Sequence, residues 1–406
     1  MHFTTSQILL LAAYLMPSVH SHPMNCSPQS SNAIFFLTND QKNSVAAIPI
    51  GQGGMLSGGS VTATGGAGSN SLDAAGKAAA PDPLIGQSAL AVAGGNVFAV
   101  NAGSNTLSML AIDKQDPSKL TMVGQPMPVE GEFPNTVAVS MKHKLACVGT
   151  TGAKNGVSCA TFSKQGLGKF DGLRSFGLKQ TTPPVGPTNS VSQLFFSDDQ
   201  NTLFATVKGD PAVNNTGFFS TFKVQQGPAG MGKGAGSLAT QDTRSSPDGT
   251  AVLFGSAVIR GTSNVFVTDA SFGAAVLSVD AAGTAKLVAK QAIADQAATC
   301  WATISPATGS AFVTDVGKNR VIEMSLTDAS ILGNTDLSAN GAPGLIDLAA
   351  AGTAIYALSP GNGTTPSAIS VLDVSGGKGT AELLQNFDVS SLGVGPNAQG
   401  MQVLRK

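Results

Sequence analysis

Proton transfer on a small acid needs a carboxylate and a guanidinium that can meet, and few of either are spread along this chain. Glu132, within Glu130-Gly131-Glu132-Phe133-Pro134-Asn135, is the candidate acid or base, and Arg244 and Arg260 are the candidates for holding a substrate carboxylate. If they converge, they make an acid-binding catalytic pocket; if they do not, they are surface or inter-sheet ion pairs of little energetic weight. Histidine, the usual proton shuttle near neutral pH, is scarce. Beyond the N-terminal segment only His22 and His143 remain, and His143 lies in Met141-Lys142-His143-Lys144, which reads as an exposed turn. No Ser-His-Asp set or nucleophile elbow can be assembled. Asn39, Asp40, Asn101, Asp269 and Asp315 could offer oxygens to calcium, but they are spread over different repeats, and Asn or Asp opening a turn normally bonds its own backbone. No metal and no cofactor is therefore expected. Gly227-Pro228-Ala229-Gly230-Met231-Gly232-Lys233-Gly234 misses the phosphate-binding pattern where Gly234 replaces the magnesium-binding hydroxyl, and it reads as a low-complexity loop.

The cysteines and the N-terminus bear on the compartment. Ile8-Leu9-Leu10-Leu11-Ala12-Ala13-Tyr14-Leu15-Met16 is an apolar run too short for a comfortable span, and it reads as a signal peptide over 1–21 cleaved after Ser21, although no Lys or Arg precedes it. The mature domain is then 22–406, secreted to the extracellular space or cell wall. Three Asn-x-Ser/Thr sites, at Asn25, Asn214 and Asn362, suit a glycoprotein. Cys147 and Cys159 flank a turn and are expected to bridge across a hairpin. Cys26 and Cys300 either pair or leave Cys300 as a small buried hydrophobe. Trp301 beside it reads as core between sheets, the alternative being the lining of a ligand cavity.

The 406 residues are 42% hydrophobic, enough for one large core, and only 12% charged, about half the proportion usual in soluble domains. A net charge of -1 supplies neither the basic footprint that phosphates need nor a polybasic stretch for an anionic membrane. No nucleic acid, no membrane span and a monomer are expected. The 49 glycines point to short strands and tight turns.

A recurring unit must position these residues. An apolar strand ending in Thr, Asn or Asp, a short polar turn and a second strand occur about seven times, for example Val265-Phe266-Val267-Thr268-Asp269 before Ala275-Val276-Leu277-Ser278-Val279. Another short strand precedes most copies. Sheets of three or four such strands cannot cover both faces alone, which predicts an all-β, seven-bladed β-propeller. Gly400-Met401-Gln402-Val403-Leu404 is a lone strand placed to complete the first blade and close the ring. Two stretches rich in Gly, Ala and Ser, at about 51–86 and 225–236, are expected as exposed loops.

The strings Ala251-Val252-Leu253-Phe254-Gly255-Ser256 and Cys300-Trp301-Ala302-Thr303-Ile304-Ser305-Pro306 resemble secreted fungal proteins of the 3-carboxymuconate cyclase-like group, within the seven-bladed lactonase-like propellers. The resemblance implies a central channel with any site at its mouth, and for the enzymes the making or opening of lactones. Those enzymes usually carry His near the start of inner strands, where this chain has Gly186-Pro187-Thr188-Asn189-Ser190. The expectation is an adhesin- or antigen-like surface glycoprotein binding a small organic acid or an extracellular, host or wall ligand. The alternative is a cyclase-like isomerase or lactonase.

Overall fold

The computed structural model describes residues 1–2, 32–226 and 235–404. The expected leader after residue 2, His22, Asn25, Cys26 and residues 227–234 lie outside the described residues. Seven antiparallel sheets form the blades of a propeller, each with four strands in succession from the axis outwards, three of them with a short fifth strand. Each repeat found in the sequence supplies the second and third strands of one blade. In blade 6 the order is Thr299–Ser305, Ser310–Asp315, Arg320–Met324 and Ile331–Asp336.

Burial explains the sequence pattern of each position. The second strand Ser310–Asp315 is buried at every residue because neighbouring blades cover both of its faces, so it reads as a nearly continuous apolar run. The outer strand Ala285–Ala292 alternates buried or half-buried with exposed residues, the pattern of a sheet edge facing water. Gly309 sits at φ +63 in the turn between the first two strands of blade 6, a conformation glycine adopts without steric cost. Clusters of Phe, Val, Ile and Leu fill the spaces between blades. One contains Trp301, fully buried and edge-on to Phe254 at 4.9 Å, so the tryptophan is inter-blade core as its sequence context suggests.

The C-terminal strand Gln399–Val403 is the innermost strand of blade 1, antiparallel to Ala33–Leu37 with Val403 opposite Ile34 and Gln402 opposite Phe35. Met401 is fully buried and Val403 nearly so. Cys147 and Cys159 lie directly opposite one another on the second and third strands of blade 3 and form a disulfide. The stretch 51–86 departs from its expected exposure. It contains the outer strand Ser60–Ala63 of blade 1 and ends in buried Leu84 and Ile85, two apolar residues strong enough to pull Gly- and Ala-rich chain inwards.

Deleting 401–406 removes the burial of Met401 and Val403, roughly 3–6 kcal/mol together, and should lower the melting temperature of the whole domain in one transition by calorimetry. An unchanged melting temperature would show that the ring does not depend on this strand. Replacing Cys147 and Cys159 together by Ser should cost about 2–3 kcal/mol in denaturant melts, with the slope against denaturant altered little.

Candidate functional site

All seven inner strands run in the same sense, each entered from the outer strand of the preceding blade. They start on one face of the disc, called upper here, and end on the lower face. The loop leading into blade 2 does not stay on the upper face. Its residues 82–88 descend along the axis and plug the channel. Gln399 accepts from the Leu84 amide at 2.9 Å and donates to Gly86 O, Asn135 donates to Leu84 O, and the Gln87 amide donates to Ser192 O. The Gln87 side chain crosses to blade 6, donating to Ala302 O at 2.8 Å and accepting from Ala302 N at 3.1 Å. Gly86 and Gly255 make this approach possible, since a Cβ at either would collide with the backbone or side chains packed there. Ile85 and Ser88 take φ of +48 and +66, a costly conformation for a β-branched residue that only dense surrounding contacts can hold.

Charged groups surround the plug. Lys208, 1% exposed at the end of the second strand of blade 4, donates to Ile85 O at 2.6 Å and lies 4.4 Å from the Phe254 ring centroid. Burial draws its ammonium down to about 8, against the opposing pull of the Asp82 charge. Asp82 accepts from Gln399 Nε2 at 2.7 Å, and desolvation raises it to about 6 despite Lys208. Asp347, 1% exposed, accepts from Leu348 N and from Met401 N, both at 2.8 Å, yet burial raises it to about 8. Burial also pushes the Cys300 thiol well up, which makes it a poor nucleophile.

Below the plug the channel is open. A cavity of about 880 Å³ has Gln87, Ser88, Gln193 and Ser256 at its inner end, half-buried Val92, Val258, Ile304, Leu326 and Leu404 on its wall, and Asp113, Lys114 and Arg260 at its rim. The amide NH groups of Asp116 and Gln115 bind the Asp113 carboxylate and hold it below the usual carboxylate range.

The three sequence-derived candidates do not meet. Arg260, in the turn after the inner strand of blade 5, stands exposed on the cavity rim. Glu132 precedes the inner strand of blade 3 and is therefore on the upper face, where Thr182 donates to it at 2.6 Å and Lys154 lies 3.8 Å away. Arg244 pairs with Asp242 at 2.8 Å, donates to Ser175 O and Phe176 O, and lies over the Phe218 ring, tying blade 4 to blade 3 away from the axis. His143 occupies the lower-face turn of blade 3, half-buried against Asn201. Asp269 accepts from Ala251 N and Val252 N, Asp315 from Ala297 N and Arg320, and Asn39 closes on Ser69. Asn101 accepts from Asn43 and Thr64, while Asp40 accepts from Asn397. Among the described residues, no three His, Cys, Asp or Glu come together as a metal site would require. Cys300 is buried, and its candidate partner lies outside the described residues. Asn214 and Asn362 are exposed, both in upper-face loops between second and third strands.

Residues missed by sequence reasoning are the ones at the axis: Asp82, Gln87, Gln193, Lys208, Asp347 and Gln399. A usable signal was Lys208 itself, a lysine directly after the wholly apolar-or-small strand Thr202–Val207. A cation there must end either in water or in a built polar site.

No protein-family model and no curated protein sequence matches this chain. Solved structures do share the fold. A candidate 6-phosphogluconolactonase of Bacteroides uniformis is 15% identical and covers 92% of this chain and 100% of its own, at a TM-score of 0.60. The periplasmic gluconolactonase of Pseudomonas aeruginosa is 14% identical over 92% of this chain and 99% of its own, at 0.61. A candidate 6-phosphogluconolactonase of Bacteroides fragilis is 10% identical over 92% and 98%, at 0.56. The chain thus has the seven-bladed propeller scaffold found in lactonase-like proteins.

The axial carboxyls make stability depend on pH. Asp347 keeps its proton in the folded state up to about pH 8 but loses it near 3.8 when exposed, so the folded state binds more protons across that window. Stability should therefore fall by on the order of a few kcal/mol as pH rises from about 4 to 8, with Asp82 adding to the decline up to about 6. Above about 8 the slope should reverse, because Lys208 is deprotonated in the folded state before the unfolded one. Thermal melts across this range should show that Asp347→Asn flattens the decline; a slope identical to wild type would remove Asp347 as its source.

Proposed function

We propose that this protein is a lactonase-like propeller that takes a small organic acid or its lactone into the lower half of its channel, with Arg260 meeting the acid group at the rim. The observation that carries the reading is the open cavity of about 880 Å³ beneath the plug, bordered by that guanidinium. Likeness to gluconolactonase structures favours ring opening as the reaction class. The chemistry at hand is modest: Arg260 can steady a carboxylate or a developing oxyanion, while Asp113 is too acidic and too engaged in backbone bonds to serve as a strong base. Water or hydroxide would then be the nucleophile. A secreted glycoprotein suits the placement of the exposed Asn214 and Asn362, since sugars on the upper face leave the lower mouth free. An adhesin-like or antigen-like role would use the same mouth as a binding surface without turnover.

The test is binding and turnover of a panel of carboxymuconates, simple acids and lactones by purified protein, with Arg260→Ala, Glu132→Gln and Arg244→Ala beside it. Expected are saturable binding weakened only by Arg260→Ala, and slow ring opening that rises with hydroxide, because the roughly 10²–10⁴-fold contribution of a positioned general base is missing. Binding unaffected by Arg260→Ala, or fast turnover lost in Glu132→Gln, would overturn the assignment to the lower cavity.

A further inference from the structure

Most of the polar groups at the inner end of the lower cavity already have partners, and the one that lacks one, the Ser256 hydroxyl, is buried away from the surface, which limits what the cavity can recognise. Gln193 donates to Ser88 Oγ at 3.1 Å and to Ser256 O at 3.2 Å, and accepts from Ser256 N at 2.6 Å. Both of its N–H groups are used. Gln87 binds both backbone groups of Ala302, through its carbonyl oxygen and one of its two N–H groups. Below this end the wall is apolar, with only Thr303 and Gln402 adding half-buried polar side chains. A sugar acid brings a row of hydroxyls that would lose water and find few partners here, whereas an alkyl body gains about fourfold in affinity per methylene buried.

Resting on the reading that the lower cavity binds an organic acid, we infer that its ligand is a medium-chain aliphatic carboxylic acid, or the matching alkyl lactone, and not a polyhydroxy acid. The chain fills the apolar well below the plug. The carboxylate stays at the rim beside Arg260 and Lys114, where it remains partly hydrated and is not carried into a dry interior. The committed glutamines act as a polar lid that the alkyl end meets without forfeiting any hydrogen bond of its own.

The experiment is titration calorimetry of the full chain with decanoate, hexanoate, δ-decalactone and gluconate. Decanoate should bind at one site and exceed hexanoate by more than tenfold, and gluconate should show no binding. Arg260→Ala should weaken decanoate about two- to fivefold and leave the neutral δ-decalactone unchanged. Leu326→Glu, and independently Val92→Arg, should weaken both alkyl ligands more than tenfold while each variant keeps a cooperative melt. Gluconate binding as tightly as decanoate would overturn the aliphatic assignment but leave the lower cavity as an acid site. Decanoate binding insensitive to both wall variants would place it elsewhere and overturn the inference, and failure of every acid to bind would overturn the underlying functional reading as well.

Discussion

A sheet that is apolar on both faces needs a sheet on either side of it, and the blades meet that requirement only because Gln399–Val403 pairs with Ala33–Leu37. The same short strand carries two further connections. Gln399 holds the plug through Leu84, Gly86 and Asp82, and the Met401 amide is held by Asp347 at the start of blade 7. Ring closure, channel filling and the buried carboxyls are thus one mechanical unit. Loosening any of them strains the other two.

Filling the upper half of the channel with the chain itself has an electrostatic cost. Lys208 and Asp347 sit where few waters can reach, Asp82 is half-buried beside them, and each is shifted towards its neutral form by desolvation. Hydrogen bonds to Ile85 O, Gln399 and two backbone amides offset part of that cost and fix the path of the plug. Buried polar groups of this kind favour one arrangement of the axis over others, because any alternative packing would leave a charge without its partner.

The plug also makes the two faces of the disc different. On the upper face the axis is closed, Glu132 is engaged by Thr182 and Lys154, and two glycosylation motifs are exposed. On the lower face the inner strands end around a largely apolar well with Asp113, Lys114 and Arg260 at its rim. The carboxylate expected from the sequence, Glu132, therefore stands on the face opposite the open half of the channel.

Much of the scaffold was legible in the sequence. The repeated strand pairs, the lone C-terminal strand and the Cys147–Cys159 hairpin are local patterns, and each lands where its spacing placed it, because blade strands follow one another along the chain. The site was not legible in the same way. Glu132 and Arg260 look equally suited to a channel mouth, but one precedes an inner strand and the other follows one, which sets them on opposite faces; Arg244 is spent on the backbone of blade 3. Gln87, Lys208 and Asp347 are ordinary polar residues until Leu84 and Ile85 draw their loop to the axis. Sequence alone determined the blades, since those rest on pairing between near neighbours, and it determined closure because one unpaired strand is left at the C-terminal end for a first blade that lacks its inner strand. Only the tertiary structure decided what occupies the axis, since that depends on which side chains from blades far apart in the chain arrive at one point and find partners there.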